Sequence, residues 1–393
     1  MKWFLCLATF FVFLLPSVAS AAPVKDTLEI GGWLPYWRAA SSTQDVLPNL
    51  SVLTTVHPFA FSVATDGTLV DTLTITEEPW KSFIVEAQTR GVRVIPSILW
   101  TDGAAMHRVL SNQETRIQLE DDIVALVKTN GWDGIDIDFE AKYAETKDYF
   151  STFLRGLYQR MGKKWVYCTI ESRTPLSSRY DTVPANIEYA NDYVEINKYC
   201  DRVQIMAYDQ GSIDIELNRA TAGPYAPIAD VRWVEKVMRE AMKTISPRKL
   251  VIGVPTYGYE YQAVPRSGGG FYYNRLWAFN PRYALDVAVA LGITPFRTPG
   301  GELQMLYLPE NLEGKGEEFD DVSSINLGVP TNALSNVATA PSVRPVFNIM
   351  TWGDATSVIQ KVALAKRLGL KGVVIFKLDG GQDPNIWNIL WGR

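Results

Sequence analysis

Asp133-Gly134-Ile135-Asp136-Ile137-Asp138-Phe139-Glu140 carries large apolar residues and acids at alternate positions from Ile135 onward. On an extended strand, successive side chains point to opposite faces. Asp136, Asp138 and Glu140 then share one face, and Ile135, Ile137 and Phe139 the other. Two other readings compete. An antiparallel strand facing solvent alternates in the same way, but the helical patterns flanking this stretch argue for a parallel sheet covered on its outer side. An Asp-rich calcium loop needs a turn-forming Gly at its sixth position and tolerates these β-branched residues poorly.

The chain on either side extends the parallel reading. Short runs rich in Val, Ile and aromatics alternate with amphipathic stretches. Eight strands are expected: Leu28–Trp37, Val52–Val63, Val92–Leu99, Ile135–Glu140, Val166–Glu171, Val203–Asp209, Leu250–Tyr257 and Gly372–Asp379. Helices are expected at Gln113–Asn130, closed by Gly131, and at Lys147–Arg160, Arg232–Lys243 and Ala355–Leu368. The pattern predicts an α/β fold, a closed (β/α)8 barrel. From Glu260 to about Arg344 the alternation breaks. This stretch holds Ser267-Gly268-Gly269-Gly270 and a helix candidate at Pro281–Leu291, and is too long for a structureless loop. It reads as a small α+β subdomain inserted between the seventh strand and its helix. The expected division is a signal peptide at 1–21, a barrel from 22–259 and 346–393, and the insertion at 260–345.

The start of the chain has Lys2, an apolar run from Trp3 to Leu15, and Ala19-Ser20-Ala21 as a cleavage site. That run is shorter than the ~20 residues that span a bilayer, so the expectation is export to the cell envelope or medium, with no membrane partner after cleavage. Cleavage removes Cys6 and leaves Cys168 and Cys200, which form one disulfide or remain two buried thiols. With 393 residues, 47% of them hydrophobic, the chain has ample material for a core. A net charge of −5 provides no basic field for nucleic acid. Only His57 and His107 occur, and G-x-S-x-G and Walker motifs are lacking. No metal or cofactor is expected, and the chain is expected to act as a monomer.

In a barrel, the acidic face of the 133–140 strand lines the lumen and ends at the C-terminal mouth, where barrel active sites lie. Neighbouring acids would sit about 6.5–7 Å apart, too close in a dry interior for all three to ionise cheaply. Glu140, nearest the mouth, is the candidate general acid. Asp138 behind it would switch between Asp136 and the reaction centre. Three acids on one strand approach a sugar from the same side, so a nucleophile on the far side must come from another strand, from water or from the substrate. A 2-acetamido group meets that need by attacking its own anomeric carbon.

The strand resembles the D-x-x-D-x-D-x-E signature of glycoside hydrolase family 18, which comprises chitinases and N-acetylglucosaminidases. Gln204–Asp209 resembles the family's M-x-Y-D motif and Gly253–Tyr259 its G-x-P-x-Y-G motif, while the insertion resembles the family's α+β subdomain. The resemblance implies Glu140 as acid/base, Asp138 as the residue that orients the acetamido group, Asp136 as its charge partner, Tyr208 as a hydrogen-bond donor to the acetamido oxygen, and Asp209 in an adjoining subsite. It also implies a β-1,4-linked N-acetylglucosamine glycan as partner. Pro96–Trp100 lacks the usual S-x-G-G, and Phe376 stands where the family usually has Trp. These departures look closer to the bacterial spore-wall or cortex-lytic branch, which sets peptidoglycan fragments beside chitin oligomers. Trp37, Phe61, Trp100, Tyr257, Trp352 and Phe376 are the expected sugar-contacting aromatics, with Trp33 and Tyr259 also near strand ends. Glu171 is expected either to line the cleft or to sit in a structural ion pair. Two rival functions are a sugar-binding barrel that has lost catalysis and a metal-assisted phosphodiesterase. The intact trio Asp136, Asp138 and Glu140 favours the hydrolase.

Overall fold

The computed structural model describes residues 28–309 and 346–392; the expected signal segment at 1–21 lies outside the described residues. All eight expected barrel strands form: β1 (Glu29–Leu34), β2 (Thr55–Val63), β3 (Ser97–Trp100), β4 (Gly134–Phe139), β5 (Trp165–Glu171), β6 (Arg202–Met206), β7 (Leu250–Pro255) and, after the insertion, a strand at Gly372–Phe376. Each runs parallel to its neighbours. The ring closes because β1 pairs with both β2 and Gly372–Phe376, which in turn pairs with β7. It is a TIM barrel. Most strands end a few residues before the sequence pattern does, since the last residues turn into the loops of the mouth.

Helices cover the outside for reasons visible in their sequences. In α1 (Gln113–Thr129), the Asn112 side chain caps the amides of Glu114 and Thr115, and Leu119, Ile123 and Val127 are buried on one face. In α2 (Val231–Met242), Asp230 caps the first turn, while Trp233, Val234, Val237, Met238 and Ala241 are buried. The apolar face of β4 packs outward in the same way, with Phe139 stacked at 5.4 Å on Phe153 and at 6.0 Å from Phe150.

The insertion between β7 and α4 (Ala355–Arg367) builds a second sheet. Its strands are β8 (Gly258–Pro265), β9 (Phe271–Phe279), β10 (Phe296–Arg297), β11 (Leu303–Tyr307) and β12 (Phe347–Trp352), in the order β9-β8-β12-β11-β10 with antiparallel pairings. α3 (Pro281–Leu291) covers one face. The final barrel strand, Gly372–Phe376, is hereafter β13. Cys168 and Cys200 form a disulfide, with Cα atoms 6.0 Å apart, that ties β5 to a position two residues before β6.

Candidate active site

The lumen is polar along one side, and its lowest acid is fully bonded. Asp136 Oδ2 accepts from Ser97 Oγ at 2.6 Å and Trp33 Nε1 at 3.1 Å, and Oδ1 accepts from Thr169 Oγ1 at 2.7 Å. Ser97 is in register with Asp136, and Thr169 lies on the adjacent strand. Thr169 continues the chain to Gln204, which reaches buried His57. Burial holds the His57 imidazole at a pKa of about 3, so it is neutral and packs as a polar spacer.

One step towards the mouth the bonding stops. Asp138 is buried, yet its Oδ1 has no hydrogen-bond partner among the described residues. Burial first, then the nearby carboxylates of Glu140, Asp136 and Glu171, push its pKa well above the ordinary range. Glu140 follows β4 by one residue, held by its backbone N–H on Trp100 O at 2.8 Å. Burial, with Glu171 and Asp209 adding repulsion, raises its carboxyl to about 7, against the opposing pull of Lys142. The three acids thus differ in kind. One is a bonded anchor, one a buried acid with an unbonded oxygen, and one a half-buried acid at the rim.

Tyr208 closes the opposite side. Its ring stacks on Phe376 with centroids 5.5 Å apart and planes at 16°, and its hydroxyl feels Asp138, Glu140 and Asp209. Gly253 permits this placement, because a Cβ there would come within 2.9 Å of Tyr208 Cε1 and 2.6 Å of Ile205 O. Asp209 lies exposed beside it and accepts hydrogen bonds from Tyr257 and, at 2.8 Å, from Tyr259. Trp37 reaches the mouth next to Phe59, which packs on Phe376. Tyr257 and Phe376 also meet edge-on at 5.9 Å.

Three expected aromatic platforms do not reach this site. Phe61 packs on Trp132 in the layer under the helices, because a register shift after Phe59, which looks inward with His57, turns Phe61 outward. Trp100 follows the alternation of β3 outward and meets Phe139 edge-on at 5.2 Å. Trp352 is buried in the insertion against Phe279. Trp33 serves Asp136 rather than solvent. Phe59, Ser97, Thr169 and Lys142 were missed. Ser97 and Thr169 were accessible in principle as polar residues at inward positions of neighbouring strands.

Comparison with known proteins agrees with this architecture. Residues 32–381 match the profile of glycosyl hydrolases family 18. "Uncharacterized glycosylase YvbX" of Bacillus subtilis is 30% identical over 160 residues, covering 41% of this chain and 43% of the relative. The "Cortical fragment-lytic enzyme" of the same organism is 26% identical over 346 residues, covering 86% and 67% respectively. Among solved structures, the Bacillus cereus spore cortex-lytic enzyme SleL superposes with a TM-score of 0.67 at 19% identity, covering 93% of this chain and 74% of the other. The matched region spans less than half the length of the first curated relatives.

Proposed function

The chain belongs to glycosyl hydrolases family 18, and from that premise we propose that it hydrolyses β-1,4-linked N-acetylglucosamine glycans, with Glu140 as the proton donor. The observation that carries this reading is the loss of hydrogen bonding along one strand face, from three bonds on Asp136 to an Asp138 whose Oδ1 has no partner among the described residues and a rim acid whose pKa is about 7. A barrel that only binds sugar has no use for an unbonded buried acid, which is costly to keep.

In the proposed step, protonated Glu140 gives its proton to the glycosidic oxygen. The acetamido carbonyl oxygen attacks the anomeric carbon as the bond to the leaving sugar breaks, forming an oxazolinium ring. Asp138, free to rotate towards the substrate, accepts the acetamido N–H and stabilises the positive charge. Tyr208 donates to the acetamido oxygen. The Glu140 carboxylate then takes a proton from water as the water opens the ring from the face the leaving group vacated, so configuration is retained. Trp37, Tyr257, Asp209 and Phe376 would form the sugar contacts around this centre.

Peptidoglycan fragments and chitin oligomers both fit, and the cortical fragment-lytic relative gives the former a place in the comparison. The Cys168–Cys200 disulfide and the signal-like first 21 residues support action outside the cytoplasm. Mass spectrometry of products from both substrates, run side by side, tests the activity. Glu140→Gln is expected to keep oligomer binding and lower turnover by about 10²–10⁴-fold; near-wild-type hydrolysis by that variant rejects the assignment. Fully deacetylated oligomers should remain uncut, because they lack the internal nucleophile, and their efficient cleavage would exclude substrate assistance.

A further inference from the structure

The turn that follows Glu140 holds an ion pair that none of the steps above uses. Ala141 takes a left-handed φ of 55°, and its amide donates to Glu171 Oε1 at 3.2 Å. The other oxygen of Glu171 accepts from Asn191 Nδ2 at 2.7 Å and lies 3.7 Å from Lys142 Nζ. The Lys142 side chain is fully enclosed, whereas that of Glu171 is 41% exposed. Its ammonium has three partners: the Phe139 carbonyl, the Glu171 carboxylate and the face of the Phe150 ring at 4.8 Å. That set matches the three N–H bonds of a charged lysine. An apolar side chain would fill the same space without the cost of burying a charge, so packing alone does not account for Lys142.

The electrostatic setting supplies a reason. Facing Glu140 are Asp138 from β4, Glu171 from β5, and Tyr208 and Asp209 beyond β6. Arg275 lies over Tyr259, on the far side of Asp209, and Arg173 is sandwiched between Tyr189 and Tyr193, beyond Asn191. Lys142 is the cation next to the donor. We propose that Lys142 and Glu171 are a positioning pair for Glu140: Glu171 seats the turn that presents it, and the two opposed charges set the pH at which Glu140 releases its proton. The carboxylate of Glu171 favours the protonated form, which is needed to cleave the glycosidic bond, and the ammonium of Lys142 favours the ionised form, which is needed to activate water. A donor that must work in both directions gains from this opposition.

The inference rests on the reading of Glu140 as proton donor, but its test does not require turnover. Glu171→Gln keeps an oxygen for the Ala141 amide, and Lys142→Met keeps the length of the side chain. In protein carrying carboxyl-labelled glutamate, carbon NMR follows the Glu140 signal, identified by its loss in Glu140→Gln. Glu171→Gln should lower the titration midpoint of Glu140 by about 0.5–1 unit, Lys142→Met should raise it by a similar amount, and the double variant should return near the wild type. The alkaline limb of the pH–rate profile should move with these midpoints. Unchanged midpoints, or shifts of the two variants in the same direction, overturn the proposal. If Lys142→Met does not fold, the exposed Glu171→Gln decides alone. A wild-type protein that cleaves no glycan would sink the glycosidase reading while leaving the titration decisive for the pair.

Discussion

Two of the places where this molecule buries carboxylates treat them oppositely. At the seam between barrel and insertion, Glu302 is fully buried and accepts from the backbone amides of Ile228 at 3.0 Å and Ala229 at 2.7 Å, and the charge of buried Lys361 acts on it. Around it, Asp230 caps α2 and binds Arg232, and Gln210 bonds both Tyr225 and the Asp230 amide. Each acid there has its partners. At the barrel mouth, Asp138 Oδ1 has no such partner among the described residues. A buried carboxylate with its lone pairs satisfied joins elements together, whereas one denied them is held in readiness for a substrate.

Breaking the seam should cost stability first. Glu302→Ala orphans two amides and removes a charge that opposes buried Lys361, and should lower unfolding free energy by about 3–5 kcal/mol in chemical denaturation. Hydrolysis per folded molecule should survive at low temperature. If the variant is as stable as the wild type, the seam is not the structural half of the contrast.

Asp138→Asn should have the opposite profile. Turnover should fall by about 10²-fold or more, since the amide cannot offset the charge of the oxazolinium. Melting temperature at pH 7 should rise by about 2–4 °C, because a costly buried acid has gone. The sign follows from linkage. The unfolded Asp138 ionises above its ordinary value of 3.8, and the folded one resists ionising because its pKa is raised. The penalty therefore appears as pH climbs above 3.8 and is absent below it. The melting advantage of the Asn variant should vanish in acid, and an advantage that persists there would contradict the assignment.

The smallest effect sharpens the comparison within the site. With Glu140 as the proposed proton donor and its carboxyl raised to about 7, kcat/KM should hold below that pH and fall about tenfold per unit above it. A profile flat to pH 9 would show that Glu140 is not the titrating donor.

Much of the barrel was legible because burial on both faces of a parallel strand leaves a simple trace. Ile135, Ile137 and Phe139 announced an outer layer, and the acids between them announced an inner one. The aromatic contacts were less legible for a specific reason. Strand alternation is counted from a register, and the irregularity between Phe59 and Phe61 sends two residues that would share a face to opposite ones. Trp100 and Trp352 were chosen for being near strand ends, a criterion that ignores which face they occupy. Lys142 had no periodic signal, since it lies in a turn whose left-handed residue is Ala rather than Gly.

The sequence by itself determined the α/β alternation, the inserted subdomain and the row of acids on one strand face, because each depends on local periodicity and on which residues can be buried. Tertiary structure decided what local pattern cannot carry. Ser97, Trp33 and Thr169 bond Asp136 from three different strands, Asp138 is left unbonded, and Lys142 meets Glu171 across 29 residues of chain. Hydrogen bonds and charges act through space, so the difference between an anchored acid and a poised one exists only once the ring of strands has closed.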